Sequence, residues 1–241
     1  ESLIPSYTKA VITEIQAWGE ALYHPPVRTI FLGGGTPSWL PDEALAQVLE
    51  ATQRAFPILL DAEITAEANP GDVTMEKLRN WRDLGISRIS IGVQSFDDAL
   101  LKFLTRRHTG AEAVEAFWRA RQTGFDEINM DLIYGLPGQG MEQWRDTLKR
   151  TIDVGPAHVS LYGLTIEEGT PLWRDLRKDA FPQPDPDLAA DMYLMAEEML
   201  AVVDYQHYEI SNWAQAGHEC KHNLIYWRNE PFLGVGPGKV R

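Results

Sequence analysis

The sequence predicts an α/β protein built on parallel strands, and three observations carry that reading. Apolar, β-branched stretches recur: VRTIFLGGGTP, AEITAEANP, SRISIGVQSF, EINMDLIYGLP and AHVSLYGLTIEEGTP. Stretches with helical spacing, such as DEALAQVLEATQRAF and MEKLRNWRDLG, separate them. Strand spacings of about 30 residues leave room for a crossover helix each time, so the strands run parallel behind a helical layer. Each strand also ends in glycine and polar residues, on the edge where parallel βα folds gather their ligands.

Taken in order, ESLIPSYTKAVITEIQAWGE is an amphipathic pattern rather than a charged, apolar and small-residue leader. The first strand ends in Gly33, Gly34, Gly35 and Thr36. A dinucleotide fingerprint would need glycine where Ser38 stands, and a phosphate loop would need a lysine and an immediate helix. Pro37 and Pro41 delay that helix, whose first turn is expected at Pro41, Asp42 and Glu43. Glycines at a strand end let backbone amides and carbonyls approach a small ligand. An amino-acid-like moiety suits such an edge, with Glu67 available to an amine or ribose hydroxyl and Arg106 to a carboxylate.

The second strand ends in Glu67 and Asn69, the third in Gln94 and Ser95, the fourth in Asp131, and the fifth in Tyr162, Gly163 and Thr165. Each has a plain alternative as turn or loop chemistry, Asn69-Pro70-Gly71 most obviously. Five strands repeating the pattern favour a site. Only five strands precede the Pro and Asp cluster FPQPDPD, so a complete eight-stranded barrel is excluded. A helix over residues 187–203 and the stretch from HYEISNWA onward are expected to begin a second, smaller unit.

At 241 residues, 44% of them hydrophobic, the chain can bury one substantial core, or a large domain and part of another. A formal charge of −13 argues against nucleic acid, whose binding depends on Lys and Arg displacing counterions. No apolar run reaches the roughly 18 residues of a membrane span, which leaves peripheral membrane contact open and the cytoplasm as the default compartment. The one cysteine forms no intramolecular disulfide framework. It stands in ECKHNLIYW, where Cys220 beside His222, Tyr226 and Trp227 reads as metal ligand, nucleophile or structural thiol.

GGGTPS, EANP, GVQSFDDALLKFLTRRHT, INMDLIYGLPGQ and HNLIYW together resemble the oxygen-independent coproporphyrinogen oxidase-like branch of the radical S-adenosylmethionine (SAM) proteins, and most closely its HemW-type haem chaperones. The resemblance implies an incomplete parallel (βα)6 barrel lacking its first strand over residues 1–180, then a linker helix and the start of a C-terminal domain over 181–241. It implies that Gly34, Gly35 and Thr36 approach the methionine moiety of SAM. Glu67, Gln94, Arg106 and Asp131 would meet its amino, carboxylate and ribose groups, and Gly163 its adenine. His222 would be a haem contact, with haem and haem-acceptor proteins as partners.

The family's three clustered cysteines, which ligate a 4Fe-4S cluster, have no counterpart here; Cys220 cannot replace them and is expected to be a small buried or half-buried residue without chemistry. Truncation at both ends is the expected reading, a paralogue that lost its cluster loop the other. Lys239, Val240 and Arg241 depart from the family pattern. No residue of the chain is assigned as catalytic or as a metal ligand. The alternatives are an oxygen-independent coproporphyrinogen III oxidase of haem biosynthesis, acting on propionate side chains, and a non-catalytic SAM- or nucleoside-binding protein.

Overall fold

All five expected strands form in the computed structural model, which describes residues 2–237; the divergent Lys239, Val240 and Arg241 lie outside the described residues. The chain divides into two compact units. The first runs to Ser90, adds Trp118–Asp126 and resumes at Cys220; the second comprises Ile91–Phe117 and Glu127–Glu219.

The first unit opens with helix α1 (Ile4–Ala21), then strand β1 (Val27–Leu32), helix α2 (Asp42–Ala55), strand β2 (Ile58–Ala68) and helix α3 (Met75–Asp83), and holds the start of strand β3 (Arg88–Gln94). The strand order there is β1-β2-β3, with β1 and β2 parallel. The proline-delayed helix starts at Asp42, with Asp42 and Glu43 in its first turn, where acidic side chains face the positive helix end. Thr74 caps α3 by accepting from the Lys77 amide at 3.1 Å. Ile15 of α1 packs with Ala55 and Phe56, and Val11, Val27, Val48 and Ile58 surround them. Gly19 is the contact point of the two helices, since a Cβ there would lie 2.9 Å from the Ala55 Cβ and carbonyl oxygen.

The second unit continues β3 and adds helix α4 (Asp98–Phe103), the N-terminal part of helix α5 (Gly110–Gln122), strand β4 (Glu127–Tyr134), helix α6 (Met141–Val154), strand β5 (His158–Gly163), helix α7 (Pro171–Leu176) and helix α8 (Pro186–Ala201). Two short strands follow, β6 (Gln206–Glu209) and β7 (Asn212–Ala214). The order is β3-β4-β5-β7-β6, with β4 and β5 parallel and the last two strands antiparallel. Ile128, Met130 and Leu132 of β4 alternate with polar Asn129 and Asp131, and Val159 and Leu161 of β5 alternate with His158 and Ser160. One face of these strands is therefore apolar and the other polar. Trp144 joins α6 to α8 through an indole N–H donated to the Met192 carbonyl at 2.7 Å.

The described residues contain no helix long and apolar enough to cross a membrane. Gly19→Val is expected to lower stability by about 1–3 kcal/mol, because a branched side chain would be forced against the α2 backbone. Urea unfolding of the chain checks this; an unchanged midpoint would show that α1 moves away without cost.

Candidate ligand sites at the strand ends

In the first unit the glycine run serves a carboxylate. The Gly34 amide donates to Glu67 Oε2 at 3.2 Å, with Gly34 at φ +81°, a conformation open mainly to glycine. A Cβ on Gly33 would lie 2.7 Å from Glu67 Oε1. Gly33 and Gly34 thus let the end of β1 approach the half-buried acid at the end of β2. Gly35 and Thr36 are exposed beside them. Ser38 closes the neighbouring loop by donating to Asp72 at 3.0 Å and accepting from the Asn69 amide at 3.1 Å. Pro70–Asp72 is a 3-10 turn, so Asn69-Pro70-Gly71 is turn chemistry, as its composition suggested.

In the second unit Gln94 ends β3 at φ +66°, buried, in a backbone region that side-chain-bearing residues enter at a cost. His108 Nε2 meets the Val93 carbonyl at 3.0 Å. A carbonyl only accepts, so that nitrogen carries the proton. Burial lowers the Arg106 pKa, while the charge of Asp131 pulls it back up. Asp131 accepts from Asn129 Nδ2 at 2.8 Å. Gly163 ends β5 with Tyr134 beside it, and a Cβ there would lie 3.2 Å from the phenol oxygen.

His222 lies on helix α9 (Lys221–Trp227) of the first unit. Its Nδ1 is 2.8 Å from Thr29 Oγ1, its Nε2 is 3.0 Å from the Tyr226 hydroxyl, and its ring stacks on Phe31 with centroids 5.3 Å apart. Burial lowers its pKa, partly offset by Glu63, so the ring is neutral at pH 7. Tyr226, Trp227, Phe232 and Leu233 leave an exposed apolar surface, Phe232 meeting Tyr226 edge-on at 4.7 Å.

Sequence reasoning missed the residues that hold α9. Glu63, in the middle of β2 and 8% exposed, accepts from the amides of Lys221 at 3.2 Å and His222 at 3.1 Å and from Cys220 Sγ at 3.4 Å. Arg88, 2% exposed, stands 3.7 Å from the same carboxylate. The one available signal was a glutamate inside the apolar run AEITAEA. Burial and the Glu63 charge push the Cys220 thiol up to about 12. A cluster needs several thiolates, so this chain's donor set does not fit one. Among the described residues no three His, Cys, Asp or Glu side chains gather as a metal site.

Parallel strands with glycine and acids at their ends define the class, and comparison agrees: the Radical SAM superfamily profile matches residues 4–151, so the chain belongs to that superfamily. Its relatives include the heme chaperone HemW of Lactococcus lactis, 38% identical over 98% of this chain and 61% of that protein. HemW of Escherichia coli is 41% identical over 88% of this chain and 55% of that protein. The mouse mitochondrial radical S-adenosyl methionine domain-containing protein 1 is 39% identical over 88% of this chain and 48% of that protein. The chain thus spans about half to three fifths of these relatives. Among solved structures, coproporphyrinogen III oxidase (HemN) of Escherichia coli aligns with a TM-score of 0.78 at 26% identity, covering 93% of this chain and 51% of that one.

Cys220 is expected to react with a soluble disulfide reagent at pH 8 only as fast as the chain opens, because the nucleophile is the thiolate. Glu63→Ala should speed labelling at least tenfold and lower stability by about 3–5 kcal/mol, since it leaves Arg88 buried without its carboxylate. Equal labelling rates in the two proteins would contradict the anchoring role of Glu63.

Acid should also weaken the fold through His108 and His222, whose pKa values are both depressed by burial from 6.5. The folded state binds fewer protons than the unfolded one, so this stability is complete above 6.5 and is lost as pH falls toward the folded values. Urea midpoints between pH 7.5 and 5 check the sign, and a smaller pH dependence is expected in His222→Gln; an identical profile would exclude His222 as a contributor.

Proposed function

We propose that this chain is part of a radical SAM haem chaperone, which binds haem and passes it to acceptor proteins. The observation that carries the reading is the 37–41% identity to heme chaperones named HemW from several bacteria. The structure of α9 supports it: a neutral imidazole bordered by exposed Tyr226, Trp227 and Phe232 offers a nitrogen ligand and aromatic cover for a porphyrin. Both ring nitrogens are hydrogen-bonded, so iron would take Nε2 by displacing the exposed Tyr226 hydroxyl, while Thr29 keeps Nδ1.

For SAM, the family's other ligand, the family pattern assigns a role to each strand-end residue within its own unit. Glu67 against the glycine run would take the amine, with Gly35 and Thr36 beside the methionine moiety. Arg106 would take the carboxylate and Asp131 the ribose hydroxyls. Gln94 and Gly163 would line the nucleoside, Gly163 because a side chain there would press on Tyr134. SAM supplies radical chemistry when a cluster reduces it; the residues here bind and orient it. The division into a barrel over 1–180 and a linker helix leading to a C-terminal domain belongs to the same proposal about the whole protein. Coproporphyrinogen III oxidase is the second reading, supported by the 0.78 TM-score to HemN.

In the full-length protein, His222→Ala is expected to weaken haem binding or move the Soret band, and Cys220→Ala to leave both unchanged. Tyr226→Phe should raise haem affinity several-fold, because the hydrogen bond that iron must displace is worth about 0.5–1.5 kcal/mol. Haem titration decides, and loss in Cys220→Ala alone would overturn the assignment. Asp131→Ala in the cluster-bearing full-length protein should weaken SAM by about 1.5–3 kcal/mol, the worth of a charged hydrogen bond; calorimetry giving unchanged affinity would remove Asp131 from the site.

A further inference from the structure

One face of the β4-β5-β7 sheet carries a buried row of polar side chains that the strand-end reading leaves unused. The register pairs Asn129 with His158, Asp131 with Ser160, and Ser160 with Asn212. Asn129, His158, Ser160 and Asn212 are all at most 5% exposed. A buried polar side chain costs stability unless its hydrogen bonds are made, so a row of four on one face implies a demand for it.

The polarity of the row can be read from its acid end. A carboxylate only accepts, so the Asn129 group 2.8 Å from Asp131 Oδ1 is its NH2. The Asn129 amide oxygen then points the other way, and it too only accepts. His158 Nδ1, 2.7 Å from that oxygen, must therefore carry a proton. In the neutral ring Nε2 is left as the acceptor, and the Tyr208 hydroxyl 2.7 Å away donates to it. Ser160 Oγ lies 3.2 Å from the same Asn129 oxygen and 2.5 Å from Asn212 Oδ1, and Asn212 donates in turn to Glu209.

We propose that His158, acting through Asn129, is a positioning residue for Asp131: its Nδ1–H holds the Asn129 amide in the one orientation that offers N–H to the carboxylate, and so fixes where Asp131 aims. The proposal rests on the reading of Asp131 as the partner of the SAM ribose. Asn129 alone would be a weak support, because an amide turned by 180° presents oxygen to oxygen and repels the acid. His158 prevents that flip, and its own ring is held by Tyr208, whose ring meets it edge-on at 5.5 Å.

The test uses the full-length, cluster-bearing protein with S-adenosylhomocysteine and its 2′,3′-dideoxyribose analogue, by calorimetry. Wild type should prefer the hydroxylated ligand at least tenfold, and Asp131→Ala should abolish that preference. His158→Leu should reduce it severalfold with little change in affinity for the dideoxy ligand. His158→Asn, which retains an N–H near the Nδ1 position, should restore most of it. If Asp131→Ala keeps the preference, the ribose reading fails; if it loses the preference while His158→Leu keeps it, the positioning role fails. A His158→Leu protein that binds both ligands equally worse has a general packing defect, which also counts against positioning. Independently of any variant, nitrogen-15 NMR of the wild type should show the His158 proton on Nδ1. A ring protonated only on Nε2 would overturn the inference.

Discussion

A carboxylate buried in the middle of a strand governs the first unit. Glu63 has been taken out of water, and a charge so placed costs several kcal/mol unless other groups answer it. Arg88 answers the charge, and the amides of Lys221 and His222 with the Cys220 thiol supply the hydrogen bonds. The chain beyond Glu219 is consequently bound to return to β2. That return lays His222 on Phe31 and Thr29 of β1, and it turns Tyr226 and Trp227 outward. A solvation requirement at Glu63 thus leads to an imidazole hydrogen-bonded at both nitrogens beside exposed aromatic surface.

The second unit concentrates its polar demands at the end of one sheet. Gln94 accepts a left-handed backbone, buried Arg106 feels the charge of Asp131, and the row from Tyr208 to Asn129 ends on the same acid. Each costs stability that an apolar residue would not, and together they set side chains at defined positions, as binding of a small polar ligand requires. The apolar face of the same strands, Met130, Leu132, Val159 and Leu161, packs the core and carries the burial that offsets those costs.

Much of this was legible in the residues because period and punctuation are local. The five parallel strands, the delayed start of α2 and a helix expected over 187–203, found at Pro186–Ala201, follow from alternation, glycine and proline. Glu67 and Asp131 stood out because acids at strand ends are unusual amid apolar runs. Tertiary chemistry was not legible. Nothing near Glu63 announces that residues 220–222 will reach it from more than 150 positions away, although Cys220 is buried and without chemistry as expected. HYEISNWA did not show that it forms β6 and β7, since four- and three-residue antiparallel strands are too short for alternation to register. The left-handed Gln94 carries no glycine to mark it.

Haem is proposed to meet this protein at α9. Hydrogen exchange of the full-length protein, compared with and without haem, tests it most directly. Slowed exchange confined to amides of residues 221–233, with β1 behind them unchanged, is the predicted result. Protection elsewhere with none over 221–233 would contradict it.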